Sequence, residues 1–145
     1  MNCPTCQIEL DKHPAGRCLD GWVAELILGC KRDNVWGEDF FVLPPQGIPC
    51  GFVLPYAGRV GFSYVAPEVS TRWDQAWQLF ELLIMQIACA GSSAPPTGFY
   101  AGYGADSGLF NPDNPCAAFD IDPKVAICKA AIKIQAARIE DSNNE

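Results

Sequence analysis

Apolar residues recur at three- and four-residue spacing in three separate stretches of this chain, and that periodicity constrains the fold more than any other feature. Leu19, Trp22, Val23, Leu26 and Ile27 form the first stripe, with Gly29 as its stop. Trp73, Ala76, Trp77, Phe80, Ile84 and Ile87 form the second, preceded by the cap candidates Ser70 and Thr71 and by Asp74 at capping-box spacing. Val125, Cys128, Ile132, Ala136 and Ile139 form the third, opened by Asp122 as N-cap and Pro123 at the first helical position. Lys124, Lys129, Lys133 and Arg138 are expected on the flanks of this last helix. Each stripe needs a surface to bury against.

That surface is a sheet. Val35–Leu43 is rich in aromatic and β-branched residues and reads as a strand ended by Pro44 and Pro45. Arg59–Val65 alternates Val60, Phe62 and Tyr64 with small residues and reads as a second strand. No crossover helix separates the two, so they are expected to pair antiparallel. A further short strand is expected within residues 90–118, a stretch rich in Gly, Ser, Pro and Asn whose length marks it as functional or mobile. The fold class is therefore α+β, a small antiparallel sheet layered with amphipathic helices. Trp22, Trp73, Trp77, Phe80, Ile84 and Ile132 are expected to share one core.

A chain of 145 residues with 49% hydrophobic and 19% charged content suits one packed domain. The division expected is a Cys-rich segment 1–18, the α+β domain 19–140 and a polar tail 141–145. A net charge of −7 disfavours sequence-blind binding to nucleic acid, which rests on neutralising phosphates. No apolar run is long enough for a membrane span, and the opening Met-Asn-Cys-Pro-Thr-Cys has no signal-peptide pattern. A reducing cytosol is the expected compartment, so the eight cysteines are read as metal ligands near the N-terminus and small core residues elsewhere.

Cys3, Cys6, His13 and Cys18 have the ligand types and spacing of a structural zinc site, a zinc-knuckle-like segment in which the Cys-x2-Cys turn presents two thiolates to one metal. The competing readings are a reduced tail with His13 capping the first helix, or Cys30 serving in place of His13. A redox Cys-x2-Cys lacks the βαβ context it needs.

Three motifs lie along the chain: His13-Pro-Ala-Gly-Arg-Cys-Leu-Asp-Gly-Trp-Val-Ala-Glu25, Val69-Ser-Thr-Arg-Trp-Asp-Gln-Ala-Trp77 and Val125-Ala-Ile-Cys-Lys-Ala-Ala131. In this order they resemble the phage "ABA sandwich" domain family of bacteriophages and prophages. Its members read Leu-Asp-x-Trp-Val-Ala-Glu, then Tyr-Ser-Thr-Asp before an Ala-Ala-Trp helix, then Ala-Ile-Cys-Arg-Ala-Ala-Leu. This chain departs with Val69 in place of Tyr and Arg72 in place of Asp. The resemblance implies a phage origin, a sandwich-like fold and a bacterial host cytosol. It implies no activity.

The chain has one histidine and lacks a nucleophile elbow, a P-loop and a His-Glu-x-x-His helix, so no enzyme is expected. Asp20 with Glu25, or Asp113 with Asp120, are carboxylate pairs that spacing does not distinguish from solvated surface. The aromatic and glycine-rich stretch Gly98–Gly104 is the surface candidate, read as a glycine-permissive loop able to clamp a planar base or a partner. The expected role is a phage accessory protein acting by binding. One form is a homo-oligomeric sponge for a small anionic nucleotide-like immune signal, with Arg59, Arg72, Tyr100 and Tyr103 as its ligand residues. The alternative is an interaction module that acts on a host or phage protein.

Overall fold

The computed structural model describes residues 1–35, 38–42, 63–64, 68–90, 97–104, 108–110 and 113–143. They form an α+β fold with α1 (Arg17–Leu26), β1 (Lys31–Val35), β2 (Glu38–Val42), β3 (Ser63–Tyr64), α2 (Trp73–Leu82), β4 (Gln86–Ala90), β5 (Gly98–Gly102), β6 (Ala117–Asp120) and α3 (Pro123–Asn143). The strands make two antiparallel three-stranded sheets, ordered β1-β2-β3 and β4-β5-β6. None of the helices among the described residues is long and apolar enough to cross a membrane.

The stretch expected as one strand from Val35 to Leu43 is divided between two paired strands, with Val35 ending β1 and Glu38–Val42 forming β2, while Leu43 lies outside the described residues. Val35 pairs with Glu38 and Lys31 with Val42, so the chain reverses where an unbroken strand was expected. Of the strand expected over Arg59–Val65, Ser63 and Tyr64 pair with Val42 and Phe41, and its other positions lie outside the described residues. Among its described residues the stretch 90–118 supplies β5 and the start of β6: β5 pairs with β4 through Ala88↔Tyr100, and with β6 through Tyr100↔Phe119.

Gly98–Gly102 is thus the central strand of its sheet, which corrects its reading as a loop. The glycines are there for close packing. A Cβ on Gly98 would lie 2.4 Å from the Phe119 ring, and one on Gly102, whose φ is +133°, would lie 2.0 Å from the Cys116 carbonyl.

α3 is the hub. Asp122 caps it as expected, accepting the Lys124 N–H at 3.0 Å. Every residue from Val125 to Ile132 is buried, so this part of the helix has no solvent face. It packs on β5 and β6 on one side and on α1 and α2 elsewhere. Lys129, expected on a flank, is therefore 2% exposed; its ammonium donates to Asp120 Oδ2 at 2.8 Å and to the Asp11 carbonyl at 3.0 Å. A buried charge must be paired and hydrogen-bonded, and this one is both. The stripe fades toward the C-terminus, where Ile139 is 42% exposed.

The second helix corrects the expected core. α2 buries Gln75, Ala76 and Leu79, whereas Trp73 is 49% and Trp77 40% exposed. Ala76 and Leu79 turn toward α3, and the small Ala76 permits close approach that a tryptophan in its place would prevent. Trp22 and Ile132 are buried as expected, and Phe80 packs against the core from its edge.

α2 also ends earlier than its apolar pattern. The Ile84 N–H reaches the Glu81 carbonyl and the Met85 N–H the Phe80 carbonyl, a Schellman closure with Ile84 at φ +53°. Ile84 is consequently 83% exposed, and Ile87 belongs to β4. Thr71 does not cap α2 through its side chain. Arg72 occupies that position, and Ser70 bonds elsewhere.

Candidate metal centre

The first eighteen residues make a tight knuckle. Cys3-Pro-Thr-Cys6 turns so that the Gln7 N–H donates to the Cys3 carbonyl at 2.9 Å and the Cys3 N–H to the Ile8 carbonyl at 2.9 Å. Gln7 closes the turn at φ +65°, the left-handed conformation such a reversal requires. A 3-10 turn at Leu10–Lys12 follows and delivers His13, and α1 begins at Arg17 with Cys18 in its first turn.

These elements bring Cys3, Cys6, His13 and Cys18 together, with all four ligand atoms within 4.8 Å of one another. Cys3 Sγ lies 3.6 Å from Cys18 Sγ, and Cys6 Sγ lies 3.3 Å from His13 Nε2. A tetrahedron with zinc–sulfur bonds of about 2.3 Å and a zinc–nitrogen bond of about 2.0 Å has edges of roughly 3.5–3.8 Å. The Cys3–Cys18 and Cys6–His13 separations are already near that spacing. His13 Nδ1 donates to the Pro14 carbonyl at 2.9 Å, which orients the ring and leaves the Nε2 lone pair to ligate, as is usual for a metal-binding histidine. Cys30 is buried outside this group, its thiol pushed up by burial.

The thiols are poised unequally. Burial pushes the Cys3 thiol up, but the Cys6 and Thr5 backbone N–H groups, His13 and Cys18 together hold it at about 7. Cys18 is pushed up to about 12, first by burial and then by its contacts with Cys6 and Cys3. A divalent cation among them removes this mutual repulsion, since coordinated thiols ionise outright. The four cysteine and histidine side chains suit zinc, with no open position for chemistry.

The knuckle and the start of α1 are held to the rest of the fold by hydrogen bonds and an ion pair. The Gly16 N–H donates to Ser70 Oγ at 2.9 Å, and Asp20 Oδ1 accepts the Ser70 N–H at 2.8 Å. Lys129 and Lys133 on α3 grip Asp11 through its carbonyl and, at 3.1 Å, its carboxylate. The three sequence motifs are in this way brought against one another, and Asp20 has a structural partner in place of a catalytic one.

The residues expected to bind a nucleotide are dispersed. Arg72 forms a two-pronged pair with Asp74, at 3.1 and 2.8 Å, and lies 3.6 Å from Glu68. The Tyr100 ring lies 5.0 Å from both Phe110 and Phe119, on the sheet face opposite Phe99 and Ala101. Tyr103 turns toward the helices, where its hydroxyl donates to the Leu83 carbonyl and accepts from Arg138. Arg59 lies outside the described residues. Asp120 accepts from Lys129 Nζ at 2.8 Å and from the Asp122 N–H at 2.9 Å, which gives it a structural role.

Sequence reasoning missed an aromatic surface. The Trp73 and Trp77 rings lie 6.0 Å apart, and Trp77 stacks on Phe80 at 4.6 Å. With Ile87, Ala88, Cys89, Phe99 and Pro123, the two tryptophans line an open apolar hollow of about 350 Å³. The signal was present in the small Ala76 one residue before Trp77, which marks the packed side of the helix.

No family model matches the sequence, and no curated protein matches it. A solved structure described as a phage protein from Bacillus cereus ATCC 14579 aligns over 87% of this chain and 93% of its own length, with a TM-score of 0.47 and 16% identity. Similarity at that level carries neither a role nor a detailed fold to this chain.

Proposed function

We propose that this chain is a phage accessory protein that works by binding another protein, with one structural zinc ion fastening its N-terminal knuckle to the helical core. Cys3, Cys6, His13 and Cys18 would hold the ion, which supplies charge neutralisation and a cross-link and no reaction centre. Fixing the knuckle fixes Asp11 and Gly16, and through them α3 and the entry to α2. The zinc thereby supports the geometry of the binding face without belonging to it.

The observation that carries the reading is the exposure of Trp73 and Trp77, 49% and 40%, on an ordered helix beside an apolar sheet edge. Large aromatics left in water at one contiguous place mark interaction surfaces, and tryptophan is among the commonest residues to anchor them. A nucleotide sponge, by contrast, needs cations and rings that converge. Arg72 is neutralised by two carboxylates, and Tyr100 and Tyr103 face apart. The test is native mass spectrometry of protein purified from bacteria, with calorimetry against cyclic nucleotides and ADP-ribose derivatives. The proposal expects one zinc per chain, no nucleotide heat, and a protein partner that a Trp73→Ser/Trp77→Ser variant loses while keeping its zinc. Tight nucleotide binding that survives this double substitution would replace it with the sponge.

A further inference from the structure

Three of the outer strands are β1, β4 and β6, and two of these carry a device that keeps another chain from pairing. β1 carries Lys31, Arg32 and Asp33. β6 is covered, because Lys133 Nζ donates to the Ala117 carbonyl at 3.2 Å and holds the knuckle against it through Asp11. Charge and cover are standard protections of a sheet edge. Among the described residues β4 has neither. Its residues Gln86, Ile87, Ala88, Cys89 and Ala90 include no charge and no proline, and among the described residues it pairs on one side only, with β5. Cys89 is exposed, and the strand borders the Trp73/Trp77 hollow.

We infer that β4 is a dimer edge: two copies of this chain pair β4 against β4, antiparallel about a two-fold axis, and join their three-stranded sheets into one of six strands. A second copy fits this edge on the grounds of charge. The chain carries a net charge of −7, so two copies repel except where they meet at uncharged surface. β4 and the hollow beside it are uncharged, whereas β1, β2 and β6 each carry charged residues. A strand of this kind is complementary to itself. Pairing through Ala88 sets Ile87 of each copy opposite Cys89 of the other, and a two-fold antiparallel pair repeats the same contacts on both sides. The inference rests on reading the α2 face as a docking surface, and it names what docks there first.

The experiment is sedimentation equilibrium of the zinc-loaded full chain, paired with hydrogen exchange at the β4 amides. Wild type is expected to sediment as a dimer with the outward amides of β4 protected. Cys89→Lys, a substitution at an exposed position, is expected to sediment as a monomer with those amides exchanging freely and circular dichroism unchanged. Ile87→Lys provides a second charge on the same edge. A wild-type monomer, or a dimer that persists in both variants with unprotected β4 amides, overturns the inference. A monomer whose Trp73 and Trp77 fluorescence is shielded by a different protein overturns the second copy and leaves the docking face. A β4 dimer in which acrylamide quenches both tryptophans freely supports the second copy and removes the face from its role.

Discussion

Asp20 Oδ1 accepts the backbone N–H of Ser70 at 2.8 Å across fifty residues of sequence, joining the start of α1 to the turn that leads into α2. Asp20 is 3% exposed, and burial raises its carboxyl to about 6 despite the Ser70 hydrogen bonds that lower it, with the Glu68 charge adding to the rise. Its folded value therefore lies above its ordinary 3.8. Stability from this group is fully present below the ordinary value and is lost as pH rises through about 6. An Asp20→Asn variant keeps the acceptor and removes the titration. Chemical denaturation of both proteins should show wild type losing about 1 kcal/mol relative to the variant between roughly pH 5 and 7. Zinc release affects both alike and cancels in the difference. A difference that does not change with pH would mean that Asp20 is ionised and solvated throughout.

Ile84 should be better replaced. A β-branched residue at φ +53° strains the Schellman closure of α2, and with 83% exposure it gains little from burial in return. Ile84→Gly is expected to stabilise the fold by about 1 kcal/mol, read from the denaturation midpoint. A loss of stability would mean that the side chain is covered.

Truncations on the two sides of α2 should separate the core from the binding face. Leu79, fully buried, should cost about 2–5 kcal/mol on conversion to Ala. Trp77→Ala should cost about 1 kcal/mol, mostly its stacking on Phe80. Equal losses would put Trp77 back in the core.

Lys129 should tolerate no simple truncation. Lys129→Ala leaves the Asp120 carboxylate and the Asp11 carbonyl without their donor, and is expected to cost about 3–5 kcal/mol in thermal or chemical unfolding. A variant as stable as wild type would show that the pair is solvated.

The elements that the sequence made legible are those signalled by local chemistry. Asp122-Pro123 announced α3, Gly29 the end of α1, and the cysteine spacing the knuckle, because caps, stops and metal turns depend on a few neighbouring residues. What was hidden depended on distant ones. Periodicity alone gave α2 one stripe through Trp73, Ala76, Trp77 and Phe80, and only the position of α3 decides that Ala76 and Leu79 are buried while Trp73 and Trp77 stay outside. The same holds for Lys129, which is polar in the sequence and buried only because Asp120 and Asp11 meet it there. Gly98 and Gly102 looked like loop residues because their neighbours across the sheet, Phe119 and Cys116, lie far along the chain.

Zinc K-edge X-ray absorption on metal-loaded protein, with elemental analysis of the same sample, reads the N-terminal metal centre itself. One zinc per chain is expected, bound by three sulfurs at about 2.3 Å and one nitrogen at about 2.0 Å. His13→Ala should replace the nitrogen by an oxygen ligand from water, and Cys6→Ser should remove one sulfur. Chelation should release Asp11 and Gly16 and lower the melting temperature. A protein that carries no zinc after growth in zinc-sufficient medium, or a spectrum with four sulfurs and unchanged by His13→Ala, would contradict this centre.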